Sequence, residues 1–389
     1  MYTSIVIISI LLAVLGPPLK SRYDSVVFIL KRRPDNLPSV SSFDSFEIKF
    51  EESIRNCEDV YMNDEDGFAV LSCDPGRDNW NTVMGTKIDP QSTGGLYLYN
   101  YADPEATPVL LNMVNFPKDR DFHPLGLDLN PGTNQLIVAS HASQGSGLEI
   151  FELDRKSMTL NHRHTLMDPR LPTPNAVRVI SDYEVLVTND HYFRIHQNPW
   201  LALAETYLAV PGGTIARVNL LMLEVATVAR VPFANGIALL NSSHVAVAST
   251  STPEFRVYEM HSMGLNLTMS FATPFMPDNL NTDSAGRLLI AGHAAPGALG
   301  VVAKTNHQYD LDGKGVEGKA APEQRPRAPS WVTEWDGNME GEMKDLYLEG
   351  LPAEKGGYGC SSSATRDVGR GVGIITGLYE KGILVFKTS

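Results

Sequence analysis

The stretch Phe275-Met276-Pro277-Asp278-Asn279-Leu280 sets an acid and an amide at the start of an apolar run, and three other stretches repeat its form. They are Asn56-Cys57-Glu58-Asp59-Val60, Pro174-Asn175-Ala176-Val177 and Phe233-Ala234-Asn235-Gly236-Ile237. Each places an oxygen-bearing side chain just before a β-type segment. A turn then follows, and a second apolar segment ends in small or polar residues: Glu58-Asp59-Val60 leads to Phe68-Ala69-Val70-Leu71-Ser72, and Asn279-Leu280 leads to Leu288-Leu289-Ile290-Ala291-Gly292-His293. Leu125-Gly126-Leu127 and Ser361-Ser362-Ser363 open two further copies, making six units. Their starts lie roughly 45 to 65 residues apart with one longer gap, and further strands such as Leu148-Glu149-Ile150-Phe151 and Phe255-Arg256-Val257-Tyr258 alternate apolar and polar as half-buried strands do. Repeats of several short strands at this period predict an all-β chain, a six-bladed β-propeller. In that architecture the innermost strand of every blade starts beside the central channel, so Glu58, Asn175, Asn235 and Asp278 are expected to meet on one axis.

The organisation follows from the repeats. Residues 1–18 form an apolar signal or signal-anchor segment, 19–45 a linker and 46–389 the propeller. The last strand, 382–386, and the strand near Phe46 are expected to share a blade and close the ring. Residues 198–208 read as a short amphipathic helix, a lid over one face. Residues 304–329 are rich in Gly, Pro and charge without periodicity, and are expected to form a mobile surface loop.

With 45 acids against 32 Lys and Arg, the net charge of −13 argues against a nucleic-acid partner and is compatible with hard-cation sites. The three cysteines, Cys57, Cys73 and Cys360, make neither a disulfide framework nor a zinc motif. If Asp64-Glu65-Asp66-Gly67 is a turn, Cys57 and Cys73 lie on neighbouring strands, where a bridge or two buried thiols both remain open. The apolar run 5–16 is too short for a comfortable transmembrane helix and has the form of a secretory signal. Pro17-Pro18 and the lack of a small-residue cleavage site leave open its retention as an anchor, and with it membrane or lipid association. The chain is accordingly expected in the secretory pathway, secreted or held by that segment, and Asn241 and Asn266 head two glycosylation sequons.

The chemistry centres on oxygen. Glu58, Asn175, Asn235, Asp278 and Asn279 supply side-chain oxygens and two negative charges, which suits Ca2+ better than zinc. Asp59 stands beside Glu58, where it serves either a second cation or a structural cap. His123, His141, His191 and His293 lie at or near strand ends; each is either structural or a general base for a water beside the cation. No nucleophile elbow, phosphate loop or dinucleotide fingerprint is present.

The stretches Cys57-Glu58-Asp59, Phe122-His123-Pro124-Leu125-Gly126-Leu127, Thr188-Asn189-Asp190-His191-Tyr192-Phe193, Phe233-Ala234-Asn235-Gly236-Ile237 and Asp278-Asn279 resemble the serum paraoxonase/arylesterase family, in the family's order. The resemblance implies a six-bladed propeller with two calcium ions in its channel and hydrolysis of lactones and aryl esters, small molecules. It implies that Glu58, Asn175, Asn235, Asp278 and Asn279 hold the catalytic calcium, and that Asp59 and the Leu127 carbonyl belong to a second calcium whose third ligand is replaced by Ala176. His141 matches one histidine of the family's proposed dyad. The other falls at Leu125, with His123 two residues away as the substitute, and Asp278 is the alternative base. His191 and His293 match the substrate region. The competing expectations are a related propeller hydrolase of gluconolactonase or strictosidine-synthase-like type, and a non-catalytic calcium-binding propeller.

Overall fold

The computed structural model describes residues 19–20, 22–23, 26–27, 31–91, 93–195, 197–350 and 357–388; the apolar segment 1–18 lies outside them. The continuous apolar runs become the second strand of each blade. Phe68–Cys73, Gln135–Ala142, Glu184–Asn189, His244–Ser249, Leu288–His293 and Val372–Gly377 are buried almost throughout, because blades cover both their faces. The alternating runs become outer strands such as Glu254–His261. Tight turns join the strands; between the first two, Gly67 takes a φ of 73° and closes the turn onto Asn63.

Six sheets result, each of at least four strands. In blade one Cys57–Asn63, Phe68–Cys73, Gly95–Tyr99 and Val109–Leu110 follow one another outward. Blades two to five start at Pro124–Asn130, Pro174–Ser181, Ala234–Leu239 and Met276–Thr282. Blade six takes Ser361–Asp367, Val372–Gly377 and Ile383–Lys387 from the end of the sequence and its outer strand, Ser45–Lys49, from near the beginning. The pairing of Phe46 with Phe386 closes the ring as expected. Val40–Ser41, in the expected linker, adds an edge to blade five.

The core is not central. It is divided into apolar layers between neighbouring blades: Leu125, Ile137 and Leu148 pack on Val177 and Val187 between blades two and three, and Phe255 and Phe271 pack on Leu280 and Trp335 between blades four and five. This distribution leaves the axis free for polar groups.

Antiparallel strands return the chain to the face where the inner strands begin, so the connection from second to third strand lies over that face in every blade. Blades one, three and five carry long insertions there. Blade three inserts α1 (Pro199–Leu208), the helix expected from sequence, and blade five inserts α2 (Pro296–Thr305), which was not expected. Both open with Pro at the first turn, where a missing N–H costs nothing. Of residues 304–329, expected as a mobile loop, the first two end α2 and the rest form an irregular but anchored segment. Asp310 Oδ2 accepts from the backbone N–H of Gly315 at 2.6 Å, and Arg325 and Arg327 reach Glu380 at 2.6 and 3.2 Å.

Candidate active site

Each of the six inner strands breaks register with its neighbour near its start, at Glu58, Leu125-Gly126, Asn175-Ala176, Asn235-Gly236, Asp278-Asn279 and Ser362. A bulge leaves residues unpaired and re-aims their side chains. In blades one, four and six the residue just before the inner strand, Asn56, Phe233 or Cys360, has a left-handed φ of 56°, 48° or 52°. Close approach is needed as well: a Cβ on Gly236 would lie 2.5 Å from the backbone of Asn279. The small polar ends of the second strands serve the same bulges. Ser72 Oγ accepts from the Asp59 N–H at 3.1 Å and Thr188 Oγ1 from the Ala176 N–H at 3.0 Å.

Glu58, Asn175, Asn235 and Asp278 line one cavity of about 290 Å3. Glu58 Oε2, Asn175 Oδ1 and Asn235 Oδ1 are buried there without a protein donor. The amide nitrogen of Asn235 donates to Thr250 Oγ1, another cavity residue, at 3.1 Å, which leaves its Oδ1 as the unpaired acceptor. Asn279 does not line the cavity; its Nδ2 donates to Glu58 Oε1 at 3.0 Å and holds that carboxylate in place. Burial pushes the Glu58 carboxyl well above its ordinary range, and the charges of Asp59 and Asp278 push it further. Three unpaired acceptors and two crowded carboxylates are the environment a hard cation relieves. The donor set fits Ca2+, with Glu58, Asn175, Asn235 and Asp278 as the residues that would hold it. Among the described residues no three His, Cys, Asp or Glu cluster as a metal site, so the set depends on amides rather than on imidazole or thiolate.

The second site does not fit a cation. Asp59 Oδ1 accepts from the Val60 N–H at 2.8 Å and from Ser363 Oγ at 2.7 Å, and Oδ2 accepts from the Leu127 N–H at 3.1 Å. Ala176 contributes no side-chain oxygen. The positive charge in this lower part of the channel comes from Arg178, two residues along the same strand. Its guanidinium donates to Ile237 O at 3.2 Å and Asn281 Oδ1 at 3.0 Å and lies 3.5 Å from Asp128.

The histidines divide into two sets. His123 and His141 do not line the cavity and are not joined as a dyad. His123 Nδ1 meets Asp74 at 2.9 Å and Nε2 meets Pro90 O at 3.1 Å; burial alone would depress this ring, but Asp74 outweighs it and raises it. His141 donates from Nε2 to Pro174 O at 2.8 Å, so its Nδ1 accepts from Thr82, and burial pushes the ring down to about 4. His191 and His293 do line the cavity. His293 Nε2 lies 3.1 Å from Asp278 Oδ2, and its Nδ1 is buried without a protein partner. His191 lies between Asp190, at 3.0 Å from Nδ1, and Thr206 of α1, at 2.7 Å from Nε2. The Thr206 hydroxyl donates to Ala202 O, so His191 Nε2 must donate to Thr206, and Asp190 holds a proton on Nδ1 as well. Its ring is raised accordingly, Asp190 overcoming burial.

The remaining walls are apolar and cationic. Phe193, Leu203, Tyr207 and Leu299 come from the insertions of blades three and five, so α1 stands over the cavity as the expected lid. Arg77, Arg194 and Lys304 also line it. Sequence reasoning did not find Arg77, Asp190, Arg194 or Thr206 as cavity residues. They lie in or beside insertions that carry no repeat; only Asp190, inside Thr188-Asn189-Asp190-His191, had a signal.

Fold and site together define a six-bladed propeller with an oxygen-lined, ligand-sized cavity at one end of its channel. The chain belongs to the arylesterase family: that family's model matches residues 81–308, more than half of the chain. Serum paraoxonase/arylesterase 1 of Rattus norvegicus is 28% identical over 216 residues, covering 53% of this chain and 59% of that protein. Serum paraoxonase/arylesterase 2 of Homo sapiens is 27% identical over 211 residues, 52% and 58% of the two chains. The match thus spans little more than half the length of these curated relatives. Two solved propellers share the fold: a protein described as a gluconolactonase (TM-score 0.52, 14% identity, 91% of this chain and 98% of that one) and a luciferin-regenerating enzyme (TM-score 0.50, 11% identity, 90% and 96%).

Proposed function

We propose that the protein is a calcium-dependent hydrolase of lactones and aryl esters. The observation that carries this reading is the meeting of Glu58 Oε2, Asn175 Oδ1 and Asn235 Oδ1, buried and unpaired, with Asp278 in one cavity. A bound Ca2+ would supply positive charge to polarise an ester carbonyl and stabilise the oxyanion. The chain's own residues do the rest. Asp278 orients His293 through Nε2, leaving the unpartnered Nδ1 as acceptor for the proton of an attacking water. This pair replaces the His123–His141 dyad of the sequence reading, since neither of those rings lines the cavity. The apolar side chains of α1 and α2 receive the aryl or acyl part and exclude water. Family membership and the paraoxonase/arylesterase and paraoxonase/lactonase relatives support the reaction class.

Turnover of phenyl acetate and of a δ-lactone is expected to vanish with EDTA and to return with Ca2+. Asp278→Ala is expected to abolish both activities. EDTA-insensitive hydrolysis, or unchanged turnover in the variant, refutes the mechanism. The Cys57–Cys73 disulfide and the exposed sequon residues Asn241 and Asn266 support a secretory location. Peptide-N-glycosidase treatment of protein from secreting eukaryotic cells should increase its gel mobility; an unchanged band on a protein retained in the cytosol rejects that location.

A further inference from the structure

Beside the main cavity lies an annex of about 130 Å3 whose walls include Trp80, Lys87, Ser143, Ser146 and Arg194. It shares Thr82, Thr173 and Arg194 with the main cavity, so the two adjoin. No carboxylate lines it. That is unexpected in a chain with thirteen more acids than bases. Several other arginines find acids: Arg120 reaches Glu149 at 2.6 Å, Arg366 reaches Glu334 at 3.1 Å and Arg325 reaches Glu380 at 2.6 Å. Among the described residues Lys87 and Arg194 form no ion pair with a carboxylate. The Lys87 ammonium instead lies 4.8 Å from the Trp80 ring centre. Its pKa is lowered to about 8, by burial first and then by the charge of Arg194. Two like charges held together, half-buried and without a counterion, are a site for an anion.

We propose that the annex formed by Lys87, Arg194, Ser143 and Ser146 is an anion subsite, and that the protein acts on esters or lactones carrying an acidic group at the end remote from the reacting carbonyl. The substrate is bound at two points, with the carbonyl at the oxygen-lined floor and the remote anion in the annex. The cavity's other cations, Arg77 and Lys304, favour the same sign of ligand. Free carboxylate and phosphate share the chemistry required, and the linking arm would run past Thr82 and Thr173, which line both cavities.

This proposal rests on the hydrolase reading above, and its test separates the two. Monophenyl glutarate and phenyl valerate have acyl arms of matched length and differ in a terminal carboxylate. In the native protein kcat/KM is expected to be about tenfold higher for the glutarate, the scale of one charge-assisted contact. Lys87→Gln combined with Arg194→Gln is expected to bring the ratio to about one. A native ratio at or below one overturns the proposal. Binding of glutaric acid monoanilide and of valeranilide, followed by calorimetry, gives a readout independent of hydrolysis. If neither ester is cleaved but the monoanilide binds, and binding is lost in the double variant, the hydrolase reading falls and the anion subsite stands. If the monoanilide binds no better than valeranilide, the subsite falls whatever the esterase result.

Discussion

At the scale of single residues, His141 shows how a side chain in the right strand can have the wrong surroundings for catalysis. Its two nitrogens are taken by Pro174 and Thr82, and its ring is neutral with a pKa near 4. In the unfolded chain the same ring titrates at about 6.5, so between pH 6.5 and 4 the unfolded state binds the extra proton. Stability from this residue is therefore complete above about pH 6.5 and is lost as pH falls toward 4, by about 3 kcal/mol in all. Urea unfolding of the native protein and of His141→Gln at pH 7, 5.5 and 4 measures this. The gap between the two is expected to shrink by about 3 kcal/mol across the range. Parallel curves contradict the buried, neutral assignment. Glu58, Asn175, Asn235 and Asp278 were legible in the sequence because a bulge fixes where their side chains point. His123 and His141 were not: a strand end gives the location of a ring but not the partners it turns to.

At the scale of elements, the sequence exposed what repeats and hid what does not. The second strands were visible because burial on both faces demands unbroken apolar runs. Helix α2 was hidden because Pro296-Gly297-Ala298-Leu299-Gly300-Val301-Val302 is a poor helix former, with two glycines and paired β-branched residues. Packing of Leu299, Val302 and Ala303 with Leu378 and Tyr379 overrides that propensity. The bridge between Cys57 and Cys73 lies between these cases. The turn at Asp64–Gly67 made it conceivable, and the register, which sets the two residues directly opposite, makes it form. With 16 residues of separation it stabilises by roughly 3 kcal/mol through the unfolded chain. The paired substitution Cys57→Ala with Cys73→Ala should lower the urea-unfolding free energy by about that amount. Because Cys57 precedes Glu58, the calcium binding proposed above, followed by calorimetry, should weaken as well. Native stability in the double variant means that the bridge is dispensable.

At the scale of the whole molecule, six blades need something to hold them in phase around a polar axis, because their apolar layers lie between neighbours and not at the centre. Arg178 of blade three does this in the lower channel. It contacts Asp128 of blade two, Ile237 of blade four and Asn281 of blade five. Asn281 donates to Ser363 of blade six at 3.0 Å, and Ser363 donates to Asp59 of blade one at 2.7 Å. One run of contacts therefore touches every blade. Asp128, Arg178 and Asn281 stand at one offset in their repeats, just after pairing resumes at Leu127, Val177 and Leu280, but an acid, a base and an amide there share no side-chain type, so the repeat marks the position and not the contacts. Replacing Arg178 by Met keeps the length of the side chain but leaves Asp128 buried beside no charge. The expected loss is about 3 kcal/mol, the lower end for a broken buried pair because the guanidinium is partly exposed. Scanning calorimetry should show a lower melting temperature, and Asn281→Ala should add little to Arg178→Met because both cut the same run. Full additivity of the two substitutions would mean that the contacts act separately, and native stability in Arg178→Met would mean that the blades are held in phase by their apolar layers alone.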